Sequence, residues 1–353
     1  MPAVSDHVWS AQDTSPAEID DALRRLLAER HAQSDAYVPA RVLNLVCVVD
    51  RQWSGEIANR LRGVGRYHPS RTVVCAVEPG RTTLTATANV ASDTQPSAGE
   101  FATTRETVIV DVGPEHLPHL YSIVDPLVVR DLPTLLWSPH GHPEAVDALL
   151  ALSQVVLLDS IDEPEVHAAL RRAAALSERL YVVDLAWLRS TPWRERVAAA
   201  FDPPETRRQL GQISSLTVRH HPVSVVAGML LVGWLASRLG WRPSPLVAHR
   251  TSWNGQLRAA RGEVKVSLQA VHQEVRGLAG ISLETARGDQ LSLDRGPGGL
   301  HAVRRDPKGR ERSWTILGAS RGEPGILGEG IRQALLRDPT YRPALATACA
   351  MCG

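Results

Sequence analysis

From Val42 to Arg179 the chain alternates short apolar runs with segments of helical length, and this alternation limits the fold more than any other feature of its 353 residues. The runs are Val42 to Val49, Thr72 to Val77, Thr107 to Val112, Thr134 to Trp137 and Val155 to Leu158. Each is apolar at successive positions and bounded by Gly, Pro or Asp, as strands covered on both faces are. Ser54 to Arg66, Glu115 to Val124 and Pro143 to Leu152 lie between runs, and Glu163 to Arg179 follows the last. Strand and helix alternating in this way implies an α/β fold with a mostly parallel sheet and flanking helices. Thr83 to Val90 fits an added hairpin or edge strand.

Ahead of this region, Ser15-Pro16-Ala17-Glu18 has the form of a capping box with proline at the first helical position. Ile19, Ala22, Leu23, Leu26 and Leu27 follow at helical spacing, so an amphipathic helix to about His31 is expected within residues 1–35. The α/β domain then occupies 36–178. A second domain, 179–353, opens with Tyr181-Val182-Val183-Asp184 and continues with a helix at Trp193 to Phe201 and a strand at Ser215 to Arg219. Short alternating stretches after Trp241, at Val264 to Leu268, Ser282 to Thr285, Leu291 to Asp294, Gly299 to Val303 and Trp314 to Leu317, predict an antiparallel meander. A helix at Ile326 to Leu336 covers one face of it, which makes this domain α/β or α+β.

Charge excludes a broad class of partners. The 39 basic and 38 acidic residues leave a formal charge of +1, so no global field draws in nucleic acid or an anionic membrane, and any such contact must be local. Within that balance stand 37 Arg but only two Lys (Lys265 and Lys308), and 9 Trp but 2 Phe, biases that fit a GC-rich genome. Residues 1–14 lack the basic and apolar regions of a signal peptide. The longest apolar run, Val223 to Ala236, is shorter than the roughly 18–20 residues a membrane helix needs and reads as a helix buried on all sides. Four scattered cysteines make no disulfide scaffold, and a cytoplasmic protein is expected.

The motifs of cofactor chemistry are missing. Gly63-Val64-Gly65 follows a helix instead of a strand and has no third glycine, so no dinucleotide fingerprint is met; there is no Walker loop and no nucleophile elbow. His140-Gly141-His142 follows the run ending at Trp137, at the carboxyl edge of the sheet where α/β sites lie. This supports an alternative reading, an α/β enzyme acting on a sugar phosphate with His140 and His142 near its site. Neither these nor His116, His119, His220 and His221 have a metal-ligand spacing. Cys349-Ala350-Met351-Cys352 has a redox spacing, yet it lies in what reads as a frayed tail and not at a helix start after a strand. Arg304 to Arg312 is a charged hairpin tip without the interleaved aromatics of a nucleic-acid patch.

Three segments say more. They are His68-Pro69-Ser70-Arg71-Thr72-Val73-Val74, Leu132-Pro133 through Trp137 to Pro139, and Asp184-Leu185-Ala186-Trp187 with Thr191-Pro192-Trp193-Arg194, where Thr191 reads as an N-cap and Pro192 as the first helical residue. In order and spacing they resemble the OpcA family, the glucose-6-phosphate dehydrogenase assembly proteins of actinobacteria and cyanobacteria, and Trp234 to Leu239 is similar to a later helix there. The resemblance covers residues 40–240 well. It departs at Leu136, where a second tryptophan is expected, at Arg242 to Gln273, and at the cysteine-bearing tail.

What the resemblance implies is a non-catalytic assembly factor and allosteric activator, without a cofactor of its own, that binds glucose-6-phosphate dehydrogenase in the oxidative pentose phosphate pathway. Tryptophan and arginine are the usual exposed anchors of protein interfaces, so Arg71, Trp187, Trp193 and Arg194 are the candidate contact residues. Cys349 and Cys352 are the candidates for redox control of that association.

Overall fold

The computed structural model describes residues 7–33, 37–39, 41–65, 69–92, 102–317 and 322–353; His68 and Arg66 fall outside them. Contacts divide the chain into two units, Met1–Leu158 with Leu180–Val182, and Asp159–Arg179 with Val183–Gly353.

The first unit begins with β1 (His7–Gln12), α1 (Pro16–Gln33) and β2 (Tyr37–Pro39). There follow β3 (Leu43–Asp50), α2 (Ser54–Gly65), β4 (Ser70–Val77), β5 (Thr85–Ser92), β6 (Ala102–Val112), α3 (Leu120–Val124), β7 (Thr134–Trp137), α4 (Pro143–Leu149) and β8 (Val155–Leu158). Next come α5 (Val166–Arg179), which belongs to the second unit, and β9 (Tyr181–Asp184). The sheet order is β1-β5-β6-β4-β3-β7-β8-β9, with β2 against β6. Its centre, β6 through β8, is parallel, and β3 and β4 are buried almost throughout, which accounts for their unbroken apolar sequence. The strand order reverses around β3, so the carboxyl ends of β3 and β7 form a topological switch point, the place where open α/β sheets hold their sites.

Local chemistry explains most boundaries. Ser15 N–H donates to Glu18 Oε2 at 2.9 Å and Glu18 N–H to Ser15 Oγ at 3.3 Å, the reciprocal bonds of a capping box, and α1 starts there. β1 corrects the expectation that residues 1–35 hold only a helix. It pairs antiparallel with β5, which is therefore not an edge strand. Pro118 divides the helix expected over Glu115 to Val124 into a 3-10 turn, Pro114–His119, and the short α3.

The second unit continues from α5 and β9 with α6 (Leu185–Arg189), α7 (Thr191–Ala200), α8 (Pro204–Arg207), β10 (Ile213–His220) and α9 (Val225–Leu239). It ends with β11 (Val247–Ala248), β12 (Ser252–Ala259), β13 (Gly262–Ala270), β14 (Leu278–Thr285), β15 (Gln290–Gly296), β16 (Gly299–Arg305), β17 (Glu311–Leu317), α10 (Gly322–Leu336) and α11 (Tyr341–Cys352). The sheet order is β11-β12-β13-β10-β14-β15-β16-β17, and β14 to β17 form the expected antiparallel meander. α7 opens at Thr191, which the sequence suggested as its cap, so the residue in the cap position is Ser190, whose hydroxyl donates to the Trp187 carbonyl and makes no cap bond.

The apolar run after Val223 is α9, buried on nearly every side. Among the described residues no helix is long and apolar enough to cross a membrane. The tail is corrected outright. Tyr341 to Cys352 is a helix packed on α5 and α9, with Tyr341, Ala344, Leu345, Ala348, Met351 and Cys352 buried.

Candidate functional site

β3 emerges from the first unit's core at Asp50, and β7 emerges beside it at Trp137. Gly141 (φ 91°) and His142 (φ 50°) both adopt left-handed backbone, which turns the chain sharply into α4. The turn places His142 Nε2 2.9 Å from Asp50 Oδ1, while the Asp50 N–H donates to His140 Nδ1 at 3.1 Å. His140 therefore carries its proton on Nε2 when neutral. Burial lowers its pKa below the usual imidazole value, against the pull of Asp50 and with the His142 charge adding to the lowering.

Ser138 completes what looks in outline like a serine–histidine–aspartate set, but its chemistry is different. Its Oγ donates toward the Gly141 carbonyl at 2.6 Å and lies 3.2 Å from the Val48 carbonyl, so its proton is committed to backbone and not to an imidazole. Arg51, next in the loop, is paired with Asp111 at 2.8 Å. Among the described residues no hydroxyl or thiol is hydrogen-bonded to His140 or His142, and no group of three His, Cys, Asp or Glu side chains is arranged to hold a metal ion. The end of the sheet thus holds an Asp–His pair that fixes a loop with left-handed backbone.

The second unit gathers the tryptophan motif. Asp184 ends β9 and caps α6, its Oδ1 accepting from Ala186 N at 2.9 Å and Ser160 N at 3.2 Å, its Oδ2 from the Tyr341 hydroxyl at 3.1 Å. Burial raises its pKa to about 6, the charge of Asp159 acting in the same direction. One turn on, Trp187 Nε1 donates to Asp338 Oδ2 at 2.8 Å, and the Arg194 guanidinium lies 3.6 Å from the indole centroid. Arg194 also approaches Asp338 at 3.6 Å and donates to Ser190 Oγ and Thr191 Oγ1. Burial lowers the Arg194 pKa to about 10. Burial by itself would raise the Asp338 carboxyl, but hydrogen bonds from Thr340 and Trp187 and the charge of Arg194 outweigh it and bring the pKa below the usual value.

The expectation of exposed anchors is corrected by these surroundings. Trp187 is 2% and Trp193 1% exposed, and Arg194 is sandwiched in the network just described. Arg71 is buried in the first unit, donating from Nε to Glu106 Oε2 at 2.6 Å and from Nη1 to the Leu127 carbonyl; Arg41 bonds the other Glu106 oxygen. Arg71, Trp187 and Arg194 spend their bonding capacity inside the chain, and Trp193 is buried. Trp187→Phe keeps an aromatic surface under Arg194 but removes the bond to Asp338 and part of a buried ring, so it is expected to cost about 2–4 kcal/mol in denaturant unfolding. Binding of any partner by the folded variant should be unchanged, and weakened binding at unchanged stability would restore Trp187 as an anchor.

Cys349 and Cys352 are both free thiols in the last turns of α11. Burial raises both pKa values, the opposite of the activated thiol that a redox motif at a helix start holds. Cys47 and Cys75, in β3 and β4, are wholly buried, and burial pushes Cys75 up to about 12. The sequence had marked Trp187 and Arg194 but not their partners. Asp338 and Tyr341 lie 151 and 157 residues from the groups they bond, and the only local signal for Asp50 and Asp184 is a carboxylate ending an apolar strand.

Two protein-family models match the chain. One, described as the glucose-6-phosphate dehydrogenase subunit N-terminal domain, covers residues 62–175, and the other, the corresponding C-terminal domain, covers 180–345. Similar curated proteins from Synechocystis sp. (30% identity over 132 residues, 36% of this chain) and Synechococcus elongatus (32% over 127 residues, 35% of this chain) both bear the name "Putative OxPP cycle protein OpcA". The matched stretch is 28% of the length of each relative. Among solved structures, the transcriptional regulator Gal80p from Kluyveromyces lactis aligns with a TM-score of 0.46 at 9% identity, over 86% of this chain and 82% of that one.

Proposed function

The chain belongs to the OpcA family of glucose-6-phosphate dehydrogenase subunit domains, and from that premise we propose that it is a non-catalytic assembly factor and allosteric activator of that dehydrogenase in the oxidative pentose phosphate pathway. The observation that carries this reading is that the family's N- and C-terminal models together span most of both units. Activation then follows from preferential binding: a partner that favours the active form of the enzyme shifts the population toward it by its difference in affinity for the two forms.

Mixing the purified chain with its cognate dehydrogenase is expected to give co-elution in gel filtration and an apparent KM for glucose 6-phosphate changed about fivefold or more, the low end of usual allosteric coupling. Unchanged kinetics with separate elution would refute the proposal. The Asp50–His142 pair is the one observation that favours the alternative, an α/β enzyme acting on a sugar phosphate. That reading requires the isolated chain to turn over a phosphosugar and His142→Ala to abolish the reaction.

A further inference from the structure

The stretch Arg242 to Lys265, within the segment that departs from the family pattern, is the most one-sidedly charged of the second unit's sheet. It holds Arg242, Arg250, Arg258, Arg261 and Lys265 against the single carboxylate of Glu263, in a chain whose total charge is +1. None of these five cations makes an ion pair among the described residues, whereas Arg189, Arg194 and Arg219 in the same unit are matched to Asp159, Asp338 and Asp294. Two of them, Arg258 and Lys265, line one groove, where an anion would meet cations that have no ion-pair partner among the described residues.

Strand register shows where two of them stand. Lys265 on β13 lies directly opposite Gln256 on β12 and Ser215 on β10, and Arg258 lies opposite Glu263 one step further along the same face. The next row inward is Asn254, Ser267 and Thr217, short side chains that leave space beside the longer lysine and glutamine. Except for Thr217, these positions line an open groove of about 920 Å³, bordered at the sheet edge by Ser244 to His249. The border is held in place: Leu246 N–H donates to the Met351 carbonyl at 2.8 Å, and Arg242 and Arg258 exchange backbone hydrogen bonds of 2.8 and 3.0 Å.

A volume of this size suits one small molecule. Its cationic end is Lys265 and Arg258, beside the Glu263 carboxylate, and its floor offers the Gln256 amide and the Ser215 hydroxyl, which both donate and accept as sugar hydroxyls require, while Ser267 donates to Asn254 at 2.8 Å within the sheet. Trp253 points to the other face, against His167, so no indole faces the groove, and His249 is the sole aromatic ring among the described lining residues. We propose that this groove is a binding site for a small phosphorylated polyol of the sugar-phosphate class, with the phosphoryl group at Lys265 and Arg258 and the hydroxyls along Gln256 and Ser215. The site stands on its own geometry and goes beyond the activator role.

Calorimetric titration of the full chain alone, without any dehydrogenase, tests it. Glucose 6-phosphate is expected to bind saturably and at least tenfold more tightly than inorganic phosphate, with glucose giving no measurable heat. Lys265→Ala combined with Arg258→Ala should weaken that binding tenfold or more at an unchanged unfolding temperature, since both side chains are solvent-facing and unpaired. The proposal is overturned by no saturation at millimolar sugar phosphate, by equal affinity for inorganic phosphate, by a double variant that binds as the parent does, or by binding of the polyanion heparin alone.

Discussion

Gly233→Ala is expected to destabilise the second unit by about 2–3 kcal/mol, although alanine is intrinsically the better helix former by about 1 kcal/mol. Gly233 sits where α9 crosses α11, and a Cβ added there would lie 2.3 Å from the Ala344 carbonyl oxygen and 3.2 Å from Ala348 N. Those atoms are backbone of a helix, so no side-chain rotation relieves the clash. The two helices must separate, and the separation loosens Ala344, Leu345 and Ala348, all buried in this contact. Gly228→Ala is the control. On the same helix its nearest neighbours are side-chain atoms of Leu268 and His220 at 3.3 and 3.4 Å, which yield by small rotations, so its cost should stay below about 1 kcal/mol. Thermal and denaturant unfolding of the two variants decide the matter, and a Gly233→Ala protein that unfolds like the parent would mean that the helices do not cross so closely.

That crossing also shows what the sequence concealed. The parallel sheet was legible because β3, β4, β7 and β8 are covered on both faces and need apolar residues at every position. β1 and β12 are half-exposed strands with few apolar residues, His7 to Gln12 holding Val8, Trp9 and Ala11, and their pattern is too short to stand out. α11 was hidden for another reason: its contact face is built from Ala344 and Ala348 against a glycine, and small residues carry close packing without a strong hydrophobic signal. In the site, residue type alone misled. Trp187 and Arg194 have the composition of an interface anchor, and only the carboxylate of Asp338, brought from 151 residues away, reveals that they are internal.

Asp184 sets the second large effect, through pH. Its carboxyl is wholly buried and titrates at about 6 in the folded chain, against about 3.9 in an unfolded one. Between those values the native state binds more protons than the unfolded state, so this residue's contribution is fully present below about pH 4 and is lost as pH rises through 6. Two pKa units correspond to about 3 kcal/mol. Asp184→Asn keeps an oxygen for the Ala186 and Ser160 amides and presents an amide to the Tyr341 hydroxyl, but it cannot ionise. The stability of Asp184→Asn minus that of the parent is therefore expected to fall by about 2–3 kcal/mol as pH is lowered from 7.5 to 4. Asp184→Ala behaves differently, because two amides and a phenol lose their shared acceptor in the interior; it should cost about 3 kcal/mol at pH 4, where the parent is protonated. Urea unfolding of the three proteins across that range is the measurement. Parallel curves for the parent and Asp184→Asn would mean that the aspartate ionises as it does in water, and that the three hydrogen bonds it accepts compensate fully for its burial.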